Sequence, residues 1–346
     1  MCLRPIFSSL FAWLLACIFP SDYQKLDSTN LPTVTSSKAE KNKQKLLSHG
    51  KLVLLVDLDE TLIEMQPGLF PALASEPDII TVPQPFPYIA KIRPHCQEFL
   101  SEMSKLFQLH LVTLGTRDYA KQILKRVDPK HRFFGKRIVA REAIGDFNKT
   151  QILGRLFPSG HEHVVVVDDR EDVWPGMEAN ILVRPYEFFR NRWSKSQDRS
   201  LIHLKEILTR VHEEYFHRFQ QTRNLPLMEH VLADIKMSIL RDVKLVISGS
   251  PSSLHPAKLR SFGAVIQKEI SEATTVVIAK EYNANVIEKA KIFGIPIVTI
   301  EWFNAAMFEW RRPEFEEFSF TEKMVQEIKR EVAFMQGPLE KRLRGK

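Results

Sequence analysis

Residues 51–63 read KLVLLVDLDETLI. The apolar run Leu52–Val56 stops at Asp57 and Asp59, which flank Leu58, and Thr61 follows two positions on. A short, continuous apolar run bounded by polar residues reads as a strand buried on both faces. In an extended segment side chains alternate, so Asp57 and Asp59 face one way and Leu58 the other. A second apolar run, HVVVV at 163–167, ends the same way, in Asp168 and Asp169. One aspartate after a strand is ordinary turn or cap chemistry. Two buried strands ending in DLDET and DD point instead to a shared acidic centre.

In an open parallel sheet, ligands gather beyond the carboxyl ends of the strands. Carboxylates crowded there repel one another unless a cation lies between them, and hard oxygen donors suit Mg2+. The expected chemistry is phosphoryl transfer. Asp57 attacks phosphorus, while Asp59 protonates the departing oxygen and then activates water.

Around these runs, "FQLHLVTL" supplies a third strand. The segments "HCQEFLSEMSKL", "RDYAKQILKRV" and "NKTQILGRLF" supply helices between strands. Strands alternating with helices of this length define crossover units and a parallel α/β sheet. Gly68 to Pro87 is proline-rich and reads as a surface loop or small flap. Residues 24–50 are polar and basic without an apolar period, and read as a flexible lead-in.

The motifs resemble the D-x-D-x-T signature of the haloacid-dehalogenase-like phosphotransferases. More closely, they are similar to the large, BRCT-containing family of phosphatases acting on the C-terminal domain of RNA polymerase II. The segments that carry the resemblance are "DLDETL", "KIRPHCQEFL", "VTLGTRDYA", "NKTQILGRLFP" and "DDREDVW", in that order. The resemblance implies that Asp57 is nucleophile and metal ligand, and that Asp59 is acid/base and gives the metal its backbone carbonyl. It implies that Thr113 hydrogen-bonds the phosphoryl oxygens and that Lys149 neutralises nucleophile and phosphate. It further implies that Asp168 and Asp169 serve the Mg2+ site, that Arg141 contacts substrate phosphate, and that Thr61 belongs to the substrate loop and steadies it. Arg93, before Pro94, either organises a helix start or pairs with an acid. Glu142 stands where relatives commonly carry aspartate, which bears on substrate detail.

Farther on, "VISGS", Gly263, "GIPIVTIEW" and Trp302 resemble a BRCT domain. Ser248 and Gly249 match the phosphate-binding pair of such domains. The position of their usual lysine falls at Val286, with Lys289 and Lys291 on other faces of the helix. Trp302 reads as core packing.

The expected fold class is α/β, a haloacid-dehalogenase-like parallel-sheet catalytic domain followed by a small α/β BRCT domain. The expected organisation is an apolar N-terminus and lead-in at 1–50, a phosphatase domain at 51–190 and a helical connection at 191–238. A BRCT-like domain at 239–320 and a basic tail at 321–346 complete it. The implied partners are the phosphorylated C-terminal domain of RNA polymerase II and a phosphoprotein or docking partner at the BRCT-like domain. The implied location is the nucleus.

The chain has 346 residues, a formal net charge of +7 and 44% hydrophobic residues, the composition of an ordinary soluble protein with a leaning toward acidic partners. No basic-aromatic module for nucleic acid is visible. Three scattered cysteines, Cys2, Cys17 and Cys96, favour a reducing compartment. Against this, Leu10–Phe19 is an apolar stretch resembling a short secretory signal or anchor. Two other readings therefore stand beside the first, a membrane-associated phosphatase of the same superfamily and a non-enzymatic adaptor on the same fold.

Overall fold

The computed structural model describes residues 35–68, 70, 73, 76, 78–82, 87–145, 147–189, 198–249, 256–279 and 283–321. The apolar N-terminal stretch and the basic tail beyond 321 lie outside them. The chain divides into two compact units between Glu229 and His230.

The first unit is built on a parallel sheet. Its strands are β1 (Leu52–Val56), β5 (Phe107–Val112), β6 (Ile138–Val139), β7 (Val164–Asp168) and β8 (Asn180–Leu182), in the order β6-β5-β1-β7-β8. β1 is central and wholly buried, which is why it is apolar at every position. Its register pairs Leu52 with Phe107 on one side and Val53 with Val164 on the other. At the far end Val56 pairs with Val167, and the Asp57 amide donates to the Val167 carbonyl at 3.0 Å. The strand tips carrying Asp57 and Asp168 are therefore neighbours, as their sequence pattern requires.

Helices α2 (Cys96–Leu106) and α3 (Arg117–Val127) are the expected crossovers. Cys96, Phe99, Leu100 and Met103 of α2 recur at helical spacing and are buried. The third expected helix is a short 3-10 turn at Lys149–Ile152 running into α5 (Leu153–Leu156), after the four-residue α4 (Arg141–Ile144).

Two expectations are corrected and a third is refined. The lead-in is not flexible throughout, because residues Ser36–Ser48 form helix α1. That helix lacks an apolar period, and a buried lysine anchors it: Lys43 donates to Glu162 at 2.9 Å and to the Ser159 carbonyl at 2.8 Å. The proline-rich insertion is framed by an antiparallel sheet, β2 (Ile63–Pro67), β4 (Tyr88–Ile92) and β3 (Ile79–Val82) in the order β2-β4-β3. The flap thus has strands that its composition concealed.

Finally, helix α6 (Ser200–Thr222) is part of the first unit, so that unit runs well past residue 190. Leu201, Leu204, Leu208, Val211 and Tyr215 form its buried stripe. His212 contacts the Gly50 carbonyl at 2.7 Å, and Lys205 donates to Glu98 on α2.

The second unit begins within helix α7 (Met228–Ile239). Four parallel strands follow, in the order β10-β9-β11-β12: β9 (Lys244–Ser248), β10 (Val265–Ile266), β11 (Val276–Ala279) and β12 (Ile297–Val298). Helices α8 (Pro256–Ser261), α9 (Ala284–Ile292) and α10 (Ile300–Glu309) complete it. Val246, Ile270, Val277, Ala290 and Ile295 share one core. Trp302 is fully buried, and its indole N–H donates to the Pro313 carbonyl at 3.0 Å. Gly263 closes the turn from α8 to β10 at φ +93°, where a Cβ would stand 2.1 Å from the Met237 carbonyl oxygen. No helix among the described residues is long and apolar enough to cross a membrane.

Candidate active site

The acids at the strand tips converge. One carboxylate oxygen from each of Asp57, Asp168 and Asp169 lies within 4.8 Å of the others. Lys149, fully buried at the start of the 3-10 turn, reaches between two of them. Its Nζ donates to Asp57 Oδ1 at 2.6 Å and to Asp168 Oδ2 at 2.7 Å. The turn is fixed by its backbone, since the Lys149 amide donates to the Val173 carbonyl at 2.8 Å. Asp168 is oriented by the Trp174 indole N–H at 2.7 Å and the Arg170 amide at 3.0 Å.

Three carboxylates facing one lysine leave two uncompensated negative charges. Burial first, and then repulsion from Asp168, hold the Asp57 carboxyl well above the usual carboxylate range, with Lys149 opposing. Burial and the charges of Asp168 and Asp57 do the same to Asp169. Burial alone would pull Lys149 down, but Asp168 and Asp57 more than offset it and hold the ammonium above its ordinary value. Hard oxygen donors in surplus over cations are what a divalent ion requires. The donor set fits one, with Asp57, Asp168 and Asp169 as its carboxylates.

Asp59 is arranged differently. Its carboxylate accepts from the Tyr119 hydroxyl through Oδ1 and from the Thr113 hydroxyl through Oδ2 at 3.3 Å. Burial raises its pKa, and the Tyr119 hydrogen bond opposes the rise. The Asp59 carboxylate thus stands apart from the three-acid cluster. Thr113 also accepts from the Gly115 amide at 2.9 Å, which locks its rotamer. Gly115 has no room for a side chain, because a Cβ would meet the Tyr119 ring at 2.5 Å.

The loop carrying these acids is clamped from behind. Arg93, 1% exposed, donates to the Thr61 carbonyl at 3.0 Å, to the Arg184 carbonyl at 2.8 Å and to both oxygens of Asp198. Both roles read for Arg93 are observed, since it pairs with Asp198 and its carbonyl accepts from the Cys96 amide at the start of α2 at 3.3 Å. Thr61 lies fully enclosed within the loop, and its Oγ1 has no partner among the described residues. Arg141 begins α4, with Nε donating to the Leu114 carbonyl at 2.7 Å. Glu142 accepts from the Arg117 amide at 3.0 Å and so caps α3.

Two participants, Tyr119 and Trp174, lie within the sequence motifs, which give no sign of their roles. Tyr119 sits on the first turn of α3, three residues after its N-cap Thr116, and therefore faces the sheet tip. In the second unit, Ser248 is buried with its Oγ unpartnered among the described residues, Gly249 has φ +109°, and Val286 packs against the core.

Paired strand-tip acids, a lysine between them and a separate acid held by hydroxyls are the arrangement of a haloacid-dehalogenase-like phosphotransferase site on its parallel sheet. Residues 52–218 match the NLI interacting factor-like phosphatases and residues 235–307 match the BRCT (BRCA1 C Terminus) domain. The first unit is thus similar to the NLI interacting factor-like phosphatases, and the region after it is similar to a BRCT domain.

An RNA polymerase II C-terminal domain phosphatase of Caenorhabditis elegans is 31% identical over 326 residues, covering 84% of this chain and 49% of its own. The Homo sapiens protein of that name is 38% identical over 173 residues, covering 45% of this chain and 17% of its own. The chain therefore spans half or less of these relatives. Among solved structures, the fission yeast RNA polymerase II CTD phosphatase Fcp1 bound to beryllium fluoride superposes with a TM-score of 0.67 at 23% identity. The match covers 82% of this chain and 100% of that one, a likeness of fold.

Proposed function

We propose that this chain is a Mg2+-dependent protein serine/threonine phosphatase. Its substrate is the phosphorylated heptad repeats of RNA polymerase II's largest polypeptide, and it acts in the nucleus. The observation that carries the reading is the division of labour between Asp57, in the three-acid cluster with Lys149, and Asp59, held apart by Tyr119 and Thr113. The substrate comes from the names of the two curated relatives, both C-terminal domain phosphatases of RNA polymerase II.

In the first step an Asp57 oxygen attacks phosphorus, and the bond from phosphorus to the serine or threonine oxygen breaks. Asp59, whose pKa is raised, gives its proton to that departing oxygen. In the second step Asp59 takes a proton from water as the water attacks the aspartyl-phosphate, which frees phosphate and restores Asp57. Lys149 holds Asp57 in line and meets negative charge on the transferred group. A divalent ion, when bound by Asp57, Asp168 and Asp169, supplies the positive charge that makes an ionised nucleophile and an incoming phosphate compatible. Arg141 and Thr61 are assigned to the substrate side on the resemblance alone. The BRCT domain is assigned to partner docking.

The test is release of phosphate from heptad peptides phosphorylated at single positions, with Mg2+ and with EDTA. Turnover is expected with Mg2+, is lost in EDTA and returns on adding Mg2+ back. Asp57→Asn is expected to abolish it while leaving the circular dichroism spectrum unchanged. Activity surviving Asp57→Asn would refute the nucleophile assignment. A wild-type chain inert toward both heptads and p-nitrophenyl phosphate would leave the non-enzymatic adaptor as the better reading.

A further inference from the structure

Helix α1 closes two adjoining cavities, of about 380 Å³ and 450 Å³, against β5 and the segment around β6. They share Asn42, Leu46, Gln108 and Arg137 as walls, and so adjoin as one cleft. None of Asp57, Asp59, Thr113, Lys149, Asp168 or Asp169 lines it.

Its charge is one-sided. Lysines, arginines and histidines line both cavities, and no carboxylate among the described residues lines either one. Some of these cations are already engaged. Lys43 is paired with Glu162, Lys51 donates to the Ser104 carbonyl, and Arg137 donates to the Leu109 and Phe133 carbonyls. Lys45, Arg132 and Lys136 have no side-chain hydrogen bond or ion pair among the described residues.

A second observation is independent of charge. His163, 2% exposed, lines the first cavity, and its Nδ1 has no hydrogen-bond partner among the described residues. Burial pushes its pKa down to about 4, so the ring is neutral at neutral pH. A buried polar nitrogen without a partner is unfavourable, and a turn of the ring toward the cavity on binding would let a ligand oxygen relieve that cost. A neutral imidazole can present Nδ1 as the donor.

We infer that this cleft is a second phosphopeptide site, holding one phosphorylated segment of the substrate while another lies at Asp57. The inference rests on the proposed substrate, a chain bearing phosphates on successive repeats. The volume of the two cavities and their apolar walls, among them Ile138, Val139 and Phe157, suit a peptide better than free phosphate. Three unengaged cations match one or two phosphate monoesters, whereas a tracked nucleic-acid strand needs a longer basic groove and open aromatic platforms. Holding one repeat raises the effective concentration of its neighbours at the catalytic acids.

The test uses the full chain and the exposed pair Lys45→Glu/Lys136→Glu. In the Asp57→Asn background, fluorescence anisotropy of a labelled four-repeat phosphopeptide is expected to show about tenfold weaker binding with the pair changed. With Asp57 intact, KM for that peptide is expected to rise by about the same factor at unchanged kcat. The kcat/KM for a single-phosphate heptad is expected to stay unchanged. His163→Gln, which retains a donor, is expected to bind more tightly than His163→Leu. Unaltered anisotropy in Lys45→Glu/Lys136→Glu overturns the site. Competition by single-stranded RNA of matched charge as strong as by phosphopeptide makes the cleft a nucleic-acid groove instead, and displacement by inorganic phosphate alone makes it a small-anion site. If no phosphopeptide is turned over at all, the proposed activity fails, while the anisotropy arm still decides the cleft.

Discussion

Replacing Lys149 by methionine removes the one cation that bridges the strand-tip acids while keeping the volume of its aliphatic stem. Lys149 is 2% exposed, lies 2.6 Å and 2.7 Å from two carboxylates, and leaves Asp57, Asp168 and Asp169 without that counter-charge when it goes. Removing one partner of a buried ion pair costs about 3–5 kcal/mol, so Lys149→Met is expected to lose that much in EDTA at pH 8. The loss depends on pH with a definite sign. Asp57 already binds its proton more tightly in the folded chain than in the unfolded one, and Lys149 opposes this. Without Lys149 the folded carboxyl rises further. The folded state then holds protons that the unfolded state has released, and stability falls as pH climbs above the ordinary carboxylate range. The slope is about 1.4 kcal/mol per pH unit for each carboxyl involved. Urea unfolding from pH 5 to pH 8, in EDTA and in Mg2+, measures it. The expected outcome is near-normal stability at acid pH, a growing deficit toward pH 8, and partial recovery in Mg2+. A variant within about 0.5 kcal/mol of wild type at pH 8 without metal would refute the charge-compensation argument.

Tyr119→Phe removes the hydroxyl that opposes the rise in the Asp59 pKa, so that pKa is expected to climb further, read as a shift of the basic limb in the pH profile of kcat/KM to higher pH. Gly115→Ala pushes a methyl against the Tyr119 ring and is expected to lower kcat at least tenfold while costing about 1–3 kcal/mol of stability, measured by single-turnover kinetics and urea unfolding. His110 and His163 are held neutral by burial, with pKa values of about 3 and about 4. Both bind protons more readily when unfolded, so stability is expected to fall as pH drops below about 6.5, by about 1.4 kcal/mol per unit for each ring. The double variant His110→Gln/His163→Gln is expected to flatten that slope.

The parallel sheet was legible because β1 and β7 are buried on both faces and are therefore apolar up to the acids at their tips. Those acids were legible because they interrupt that pattern. The antiparallel flap was not, because five-residue strands such as β2 and β4 are embedded in a motif and a proline-rich segment that obscure their alternation. Helix α1 escaped notice because a long-range ion pair, rather than an amphipathic period, holds it. The spacing of the acids pointed to a shared cation, whereas the roles of Tyr119 and Trp174 depend on how α3 and the loop after β7 turn toward the sheet tip. Glu142 stood out as a departure in the motif, and its observed contact is a helix cap.

Arg93 receives its carboxylate from Asp198, 105 positions downstream. During synthesis, the acid loop therefore leaves the ribosome long before the residue that locks its rear wall has been made. A nascent chain halted just short of Asp198 holds a guanidinium without this anion to meet it, and this part of the clamp can close only once the residues leading into α6 have been translated.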